Sequence, residues 1–397
     1  MKSKRFLAWG MAVLMMAGLT GCGGNTETTA ASGSTAAAPV TTEAAEAGST
    51  KAETTAAEKT TAPSGGAASS GAEALPVDSA AFEAADAPSF QIILGHGTSE
   101  TQLGGKNCAA FAKEVEARSN GKITCQVYPN GQLGSDAENY TSTQQGTIQM
   151  SWMATGSYVS YIPEVGILSM PMYFESADKC YELLLRGTAF RGALDQVFQD
   201  NGLVCIGISP TAFRTMTSSK KIETMEDFKG INIRTTDDQY QMKFWNDLGC
   251  NATPLAFSEL YLALQQGLMD AEENPLDTVV NNNLGEVQKY VVTTNHVPFI
   301  STFMMNKAFF DSMPADYQNL VINILDEIAA DNMAHYDEIN DSALNTLISQ
   351  NGCEVCELSG DVLKAMRETG EPIWKSMQDE LGEEISSAFN TTMQEIQ

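Results

Sequence analysis

Asp227-Phe-Lys-Gly-Ile-Asn-Ile-Arg-Thr235 and Ala263-Leu-Gln-Gln-Gly-Leu-Met-Asp-Ala-Glu-Glu-Asn-Pro275 decide the fold. The first ends a helical turn, breaks at Gly230, where glycine tolerates the left-handed backbone that closes a helix, and continues as an alternating strand. Its far end delivers the guanidinium of Arg234. The second is a short helix stopped at Gly267, then a strand ending in the polar step Asn274-Pro275. A planar guanidinium presents paired donors matched to a carboxylate and keeps its charge at physiological pH. Asn274 offers both a donor and an acceptor, and the proline after it restricts its backbone.

Upstream, Phe90-Gln-Ile-Ile-Leu94 reads as a short strand, and Gly104 to Ser119 as a helix with Phe111 and Val115 on one face. Ile123, Cys125 and Val127 alternate along a second strand, a turn and a helix ending at Gly146 follow, and Gln149 to Met153 forms a third strand. This β-α-β-α-β rhythm predicts an α/β fold with mostly parallel sheets covered by helices. A second α/β unit begins near Phe213 and holds the Ile231–Arg234 strand and the helices Tyr240–Leu248 and Ser258–Gln266. Helical periodicity from Pro314 to Ser349, with Leu320, Ile324, Ile328 and Met333 on one side, suits one long helix spanning both units. Ligands of open α/β sheets bind beyond the carboxyl ends of strands. That rule selects Gly95 to Ser99 with His96, Ser135 with Asp136, and Trp152 to Gly156 with Thr155 as loops of the first unit facing a cleft.

The Arg234 and Asn274 segments resemble signature regions of the dicarboxylate-type solute-binding proteins of tripartite ATP-independent periplasmic (TRAP) transporters. Phe111-Ala-Lys-Glu-Val115, Ser119-Asn-Gly-Lys-Ile123, Tyr128-Pro-Asn-Gly-Gln-Leu-Gly134 and Ser169-Met-Pro-Met-Tyr-Phe174 look like further blocks of that family in the right order. The resemblance implies a two-lobe, type II-like periplasmic-binding-protein fold, with the chain crossing between lobes near 212 and 300. Residues 90–212 plus 300–340 would form lobe I, and 213–299 plus 341–397 lobe II. It also implies that Arg234 clamps a substrate carboxylate, that Arg214 lines the same cleft and that the Phe257 ring packs on the ligand body. The implied partners are a small organic anion (a dicarboxylate, keto acid or sugar acid) and the sodium-coupled membrane subunits that receive it.

The first residues add a location. Lys2, Lys4 and Arg5 precede an apolar stretch from Phe6 to Leu19, too short for a spanning helix, and Leu19-Thr20-Gly21-Cys22 places a cysteine at the cleavage position. A lipoprotein signal over residues 1–21 is expected, with Cys22 acylated and anchored in the bilayer at the outer face of the cell membrane or in the periplasm. Residues 22–89 are rich in Ala, Thr, Ser, Gly and Glu, with Phe82 the only aromatic, and read as a disordered tether.

A formal net charge of −27 argues against nucleic acid as a partner. The seven cysteines beyond Cys22 are odd in number, so they describe no complete disulfide framework. Cys353-Glu-Val-Cys356 has C-x-x-C spacing but falls in a predicted strand with no second pair, and His96, His296 and His335 are widely spread. No nucleophile elbow, phosphate loop or metal cluster is apparent, so neither cofactor, metal nor catalysis is expected. Two alternatives remain open. One is a binding protein serving an ABC permease or a sensor kinase; the other is an enzyme on acidic sugars with Glu272 or Glu273 as general base.

Overall fold

The computed structural model describes residues 73–396. The expected signal peptide, Cys22 and the tether up to residue 72 lie outside the described residues.

The first unit runs β1 (Phe90–His96), α1 (Leu103–Arg118), β2 (Ile123–Tyr128), α2 (Asp136–Gln144) and β3 (Met150–Ala154). β1 pairs in parallel with β2 and β3. Its apolar face meets α1 through Ile92, Leu94, Phe111 and Val115, all fully buried. A capping box starts α2: the Ser135 hydroxyl accepts from the Glu138 amide while the Glu138 carboxylate takes the Ser135 amide. Helices α3 (Ala177–Leu184) and α4 (Ala189–Asp200) then lead into β4 (Leu203–Ser218).

The second unit runs β5 (Asn232–Thr235), α5 (Gln239–Asp247), β6 (Asn251–Pro254), α6 (Phe257–Gln265), β7 (Ala271–Asn274) and α7 (Leu276–Asn281), ending in β8 (Tyr290–Asn306). β5 pairs in parallel with β6 and β7. Gly230 has φ 74° and Gly267 φ 69°, so both predicted glycine stops are real left-handed turns.

β4 and β8 join the two ends. They pair antiparallel along nearly their full lengths, with Ala212 opposite Phe299, and the sheet order is β2-β1-β3-β8-β4-β7-β5-β6. The register shifts at three places, including between Pro210 and Ala212 and between Arg214 and Met216. Proline cannot donate to the ladder, and a bulge beside Arg214 re-aims that side chain.

After α8 (Lys307–Asp311) come α9 (Ala315–Ala334) and α10 (Tyr336–Ser349). The predicted long helix is present but interrupted at His335, whose φ of −110° and ψ of 15° leave the helical region. α9 packs on α1 and β4, whereas α10 packs on α7, so the pair runs from one end of the sheet to the other. Then follow β9 (Glu354–Cys356), which pairs with β8, α11 (Gly360–Leu381) and α12 (Glu383–Glu395). α11 crosses the Met170–Tyr173 segment, where the Trp374 indole donates to the Pro171 carbonyl at 2.7 Å. α12 packs on α4 and α3, elements that the sequence assigns to the first lobe.

The tether reading is corrected at its C-terminal end. Leu75 exchanges two 2.8 Å hydrogen bonds with the Asn323 amide, Asn319 donates to the Pro76 carbonyl, and Phe82 is buried against Tyr317 at 4.6 Å between ring centroids. A single aromatic anchor and three polar groups of α9 order residues that composition alone marks as unfoldable.

Seven cysteines among the described residues are free, and six of them are buried. Cys353 Sγ faces the Gly285 and Gln288 carbonyls, so this end of the C-x-x-C pair sits in the core as a small hydrophobe. Among the described residues no helix is long and apolar enough to cross a membrane, and no group of His, Cys, Asp and Glu has the arrangement of a metal site.

Candidate functional site

Arg234 lies near the carboxyl end of β5, flanked by β6 and β7, and is only 3% exposed. Its Nε and Nη2 both donate to the Leu255 carbonyl, at 2.9 and 2.6 Å, which fixes the plane of the guanidinium. Nη1 is buried with no hydrogen-bond partner among the described residues. Phe257, the first residue of α6, places its ring 5.9 Å from the guanidinium carbon. Burial lowers the Arg234 pKa from 12.5 to about 10, although Glu273, Glu272 and Asp136 pull it back up. The result is a charge that is oriented and desolvated, with its Nη1 edge unused.

Arg214 is arranged differently. Its Nε and Nη2 grip the Glu273 carboxylate side-on, Nη2 also reaches the Glu273 carbonyl and Asn274 Oδ1, and Phe299 stacks 5.4 Å from the guanidinium carbon. His296 Nε2 meets the same carboxylate at 3.2 Å. Burial alone would raise the Glu273 pKa, yet Arg214 and His296 hold it down at about 2. His296 itself is pushed below its usual value, chiefly by burial. Glu272, beside it in β7, is raised to about 7 by burial, opposed by hydrogen bonds from Thr217 at 2.5 Å and Asn274 Nδ2 at 2.6 Å.

These contacts bear on two of the expected ligand residues. Arg214 lines a pocket, with its charge already matched by Glu273. Asn274 has its amide engaged on both sides, by Glu272 and Arg214, so it braces the arginine before it could meet a ligand. Of the two glutamates weighed as general bases, Glu273 is ion-paired with Arg214, and Glu272 accepts from Thr217 and Asn274.

The Arg214 pocket is lined by Thr155 and Gly156 after β3, by Ser169, by Thr236, Asp238 and Gln241 from β5 to α5, and by Val297 to Ile300 of β8. Thr155 and Arg214 thus line the same pocket. Asp136 is half-buried and its pKa is raised by burial, with Ser157 and the Arg234 charge opposing. A second pocket lies on the other side of Phe299 and takes in Trp152, Gln102, Pro275, Asp277 and Thr278. Trp152 lines this one, at 6.2 Å between centroids from His96, its register neighbour on β1. Burial lowers the His96 pKa to about 4, so the ring is neutral, and it lines neither pocket. Polar bonds tie the two ends of the sheet here: Gln102 to Thr278 at 2.7 Å, Asn282 to Gln102 at 3.0 Å, and the Leu103 amide to Asp277 at 2.9 Å.

Sequence reasoning missed Ser169, Thr236, Asp238, Gln241, His296 and Phe299. Asp238 carried a signal, since an acidic residue directly after a strand and before a helical run marks an N-cap at the ligand end of the sheet.

Residues 94–381 match the family described as bacterial extracellular solute-binding protein, family 7. The chain belongs to this family and is a solute-binding protein of the dicarboxylate TRAP type. It is 26% identical over 326 residues to the C4-dicarboxylate-binding periplasmic protein DctP of Rhodobacter capsulatus, covering 82% of this chain and 97% of that one. A solute-binding protein of Verminephrobacter eiseniae is 34% identical over 229 residues, 57% of this chain and 68% of its own. Among solved structures, the sugar acid binding protein DctPAm of Advenella mimigardefordensis, in complex with galactonate, superposes with a TM-score of 0.73 at 28% identity, over 78% of this chain and 99% of that one. A TRAP periplasmic solute-binding protein of Desulfovibrio salexigens with bound orotic acid gives 0.73 at 29% identity, over 77% and 99%.

Proposed function

We propose that this protein captures a carboxylate-bearing organic acid outside the cytoplasm and delivers it to the sodium-coupled membrane subunits of a TRAP transporter. The observation that carries the reading is Arg234: a guanidinium 3% exposed, held by one carbonyl, with Nη1 unpartnered among the described residues. Isolated buried charge is costly, and an anion at that edge removes the cost. Nη1 and the second hydrogen of Nη2 form an end-on fork that suits a carboxylate.

Lobes of 90–212 plus 300–340 and 213–299 plus 341–397 would close on the ligand about β4 and β8. Thr155 and Asp136 would approach from the first lobe, Arg234, Phe257 and the Arg214–Glu273 pair from the second. Acylation of Cys22 would keep the protein at the membrane that holds its partner. The ligands named for relatives, C4-dicarboxylates and galactonate among them, support an acid as the solute. Calorimetric titration of ligand-free protein with a panel of organic acids tests the reading. Binding that an Arg234→Ala variant abolishes is expected; binding confined to neutral or cationic solutes would overturn it.

A further inference from the structure

Two acceptors in the wall of the Arg214 pocket have no hydrogen-bond donor in bonding geometry among the described residues. Asp238 is fully buried at the N-terminus of α5, where Oδ1 takes the amides of Tyr240 and Gln241 at 2.9 and 3.2 Å. Its Oδ2 has no hydrogen-bond partner among the described residues. Gln241, three residues on and 2% exposed, leaves Oε1 equally without one. Residues three apart on a helix share a face, and both line the pocket.

Their free oxygens belong to the seam that the β3 loop makes with the β5 loop. A Cβ on Gly156 would stand 2.9 Å from Thr236 Oγ1 and 3.9 Å from Asp238 Oδ2, so glycine at 156 lets the loop pass close while leaving that carboxylate uncovered. Buried polar atoms are nearly always satisfied, and two orphans in one pocket wall point to donors brought by a ligand.

Resting on the reading that Arg234 takes the carboxylate, we infer that the solute is a hydroxylated acid, and that Asp238 and Gln241 are the residues that select its hydroxyl groups. A hydroxyl donates to both oxygens. An unsubstituted methylene leaves them unpaired, and a second ligand carboxylate would stand as a like charge beside Asp238. Sites built to hydrogen-bond a hydroxyl discriminate strongly against analogues lacking it, by up to about 10⁴-fold or more. Burial raises the Asp238 pKa to about 6, opposed by the two amides and by the nearby Ser169 hydroxyl, which is not in hydrogen-bonding geometry with Oδ2, so above that pH it is an ionised acceptor.

The test is calorimetric titration at pH 8 of ligand-stripped protein with two carbon-matched series: butanoate, succinate and threonate, then hexanoate, adipate and gluconate. At least one polyhydroxy acid should bind about 100-fold more tightly than the other two members of its series. Asp238→Asn keeps a capping oxygen but turns the free acceptor into a donor. It should weaken the hydroxy acid at least tenfold and leave succinate and adipate unchanged or tighter, with circular dichroism confirming the fold. If succinate or adipate matches the hydroxy acid, or Asp238→Asn changes nothing while Arg234→Ala still abolishes binding, hydroxyl selection is wrong and the arginine reading stands. A hydroxy acid that binds regardless of Arg234→Ala would overturn the arginine reading itself. Silence from all six acids would overturn the hydroxy-acid assignment.

Discussion

Replacing Arg234 separates binding from stability in a way few substitutions do. The guanidinium is 3% exposed, and its pKa falls from 12.5 to about 10 because burial penalises the charge. At 1.36 kcal/mol for each pH unit, holding that charge in its buried place costs about 3 kcal/mol. Arg234→Met removes the charge while keeping much of the volume under Phe257. The ligand-free variant should therefore be more stable than the parent, by up to about 2 kcal/mol once the two lost bonds to Leu255 are counted. Binding should fall by about 3–5 kcal/mol, a hundred- to several-thousand-fold, because the ligand carboxylate would be buried without its partner. Arg234→Lys should recover part of the affinity, since an ammonium keeps the charge but loses the fork. Thermal melts of ligand-free protein and calorimetric titration with the best acid measure the two effects. A folded Arg234→Met that binds within threefold of the parent would refute the clamp, and a variant less stable than the parent would refute the idea of an uncompensated charge.

The glutamates of β7 should respond oppositely to pH. Glu272 has a folded pKa of about 7 against an ordinary 4.5, so its contribution is complete below about pH 4.5 and is lost as pH rises through 7; Glu272→Gln should flatten urea stability over that window. Glu273, held at about 2, contributes above pH 4.5 and loses this as pH falls through 2; Glu273→Gln should cost about 3–5 kcal/mol at pH 7 by stranding Arg214, measured by the same urea titration. Asp277→Ala removes the carboxylate that caps α1 at the Leu103 amide, and should shift small-angle scattering of the ligand-free protein toward a larger radius of gyration, at a cost of about 0.5–2 kcal/mol. Phe82→Ala should destabilise the body by about 3–5 kcal/mol in a thermal or urea melt, whereas a true tether would leave it unchanged.

Local pattern carried the parts of this fold that local physics decides. Period-two strands β1 and β2, the amphipathic α1 and the glycine stops at Gly230 and Gly267 each follow from neighbours within a few residues. β4 and β8 were legible only as crossing points, because Pro210 and Pro298 interrupt the strand pattern and the bulges that accommodate them depend on a partner strand some ninety residues away. The same distance hid the buried ion pair. Arg214 and Glu273 are 59 residues apart, and nothing around Glu273 announces that a guanidinium and an imidazole will enclose it. Arg234 stood out through its place at a strand end together with the resemblance of its segment to the family's signature region. Asp238 was not, since an aspartate before a helix reads as a cap, and only the finished pocket reveals that one of its oxygens is left over. Residues 73–89 failed for a third reason: composition averages over a segment, while Phe82 acts alone.

The contrast between the two arginines explains how a strongly acidic protein can take up an anion. At a net charge of −27 the long-range field repels the solute, but between exposed groups that field fades over about 8 Å at physiological ionic strength. At the two buried arginines the balance is local. Arg214 is neutralised by Glu273, with His296 neutral beside it, so it supplies shape and hydrogen bonds without adding free positive charge. Arg234, by contrast, has no contacting carboxylate among the described residues. One uncompensated buried cation matches one carboxylate, and a second ligand carboxylate would meet Asp136 or Asp238, whose charged forms burial already disfavours. Charge balance and the orphan acceptors thus both favour the proposed solute, one with a single clamped carboxylate and a neutral, hydrogen-bonding body.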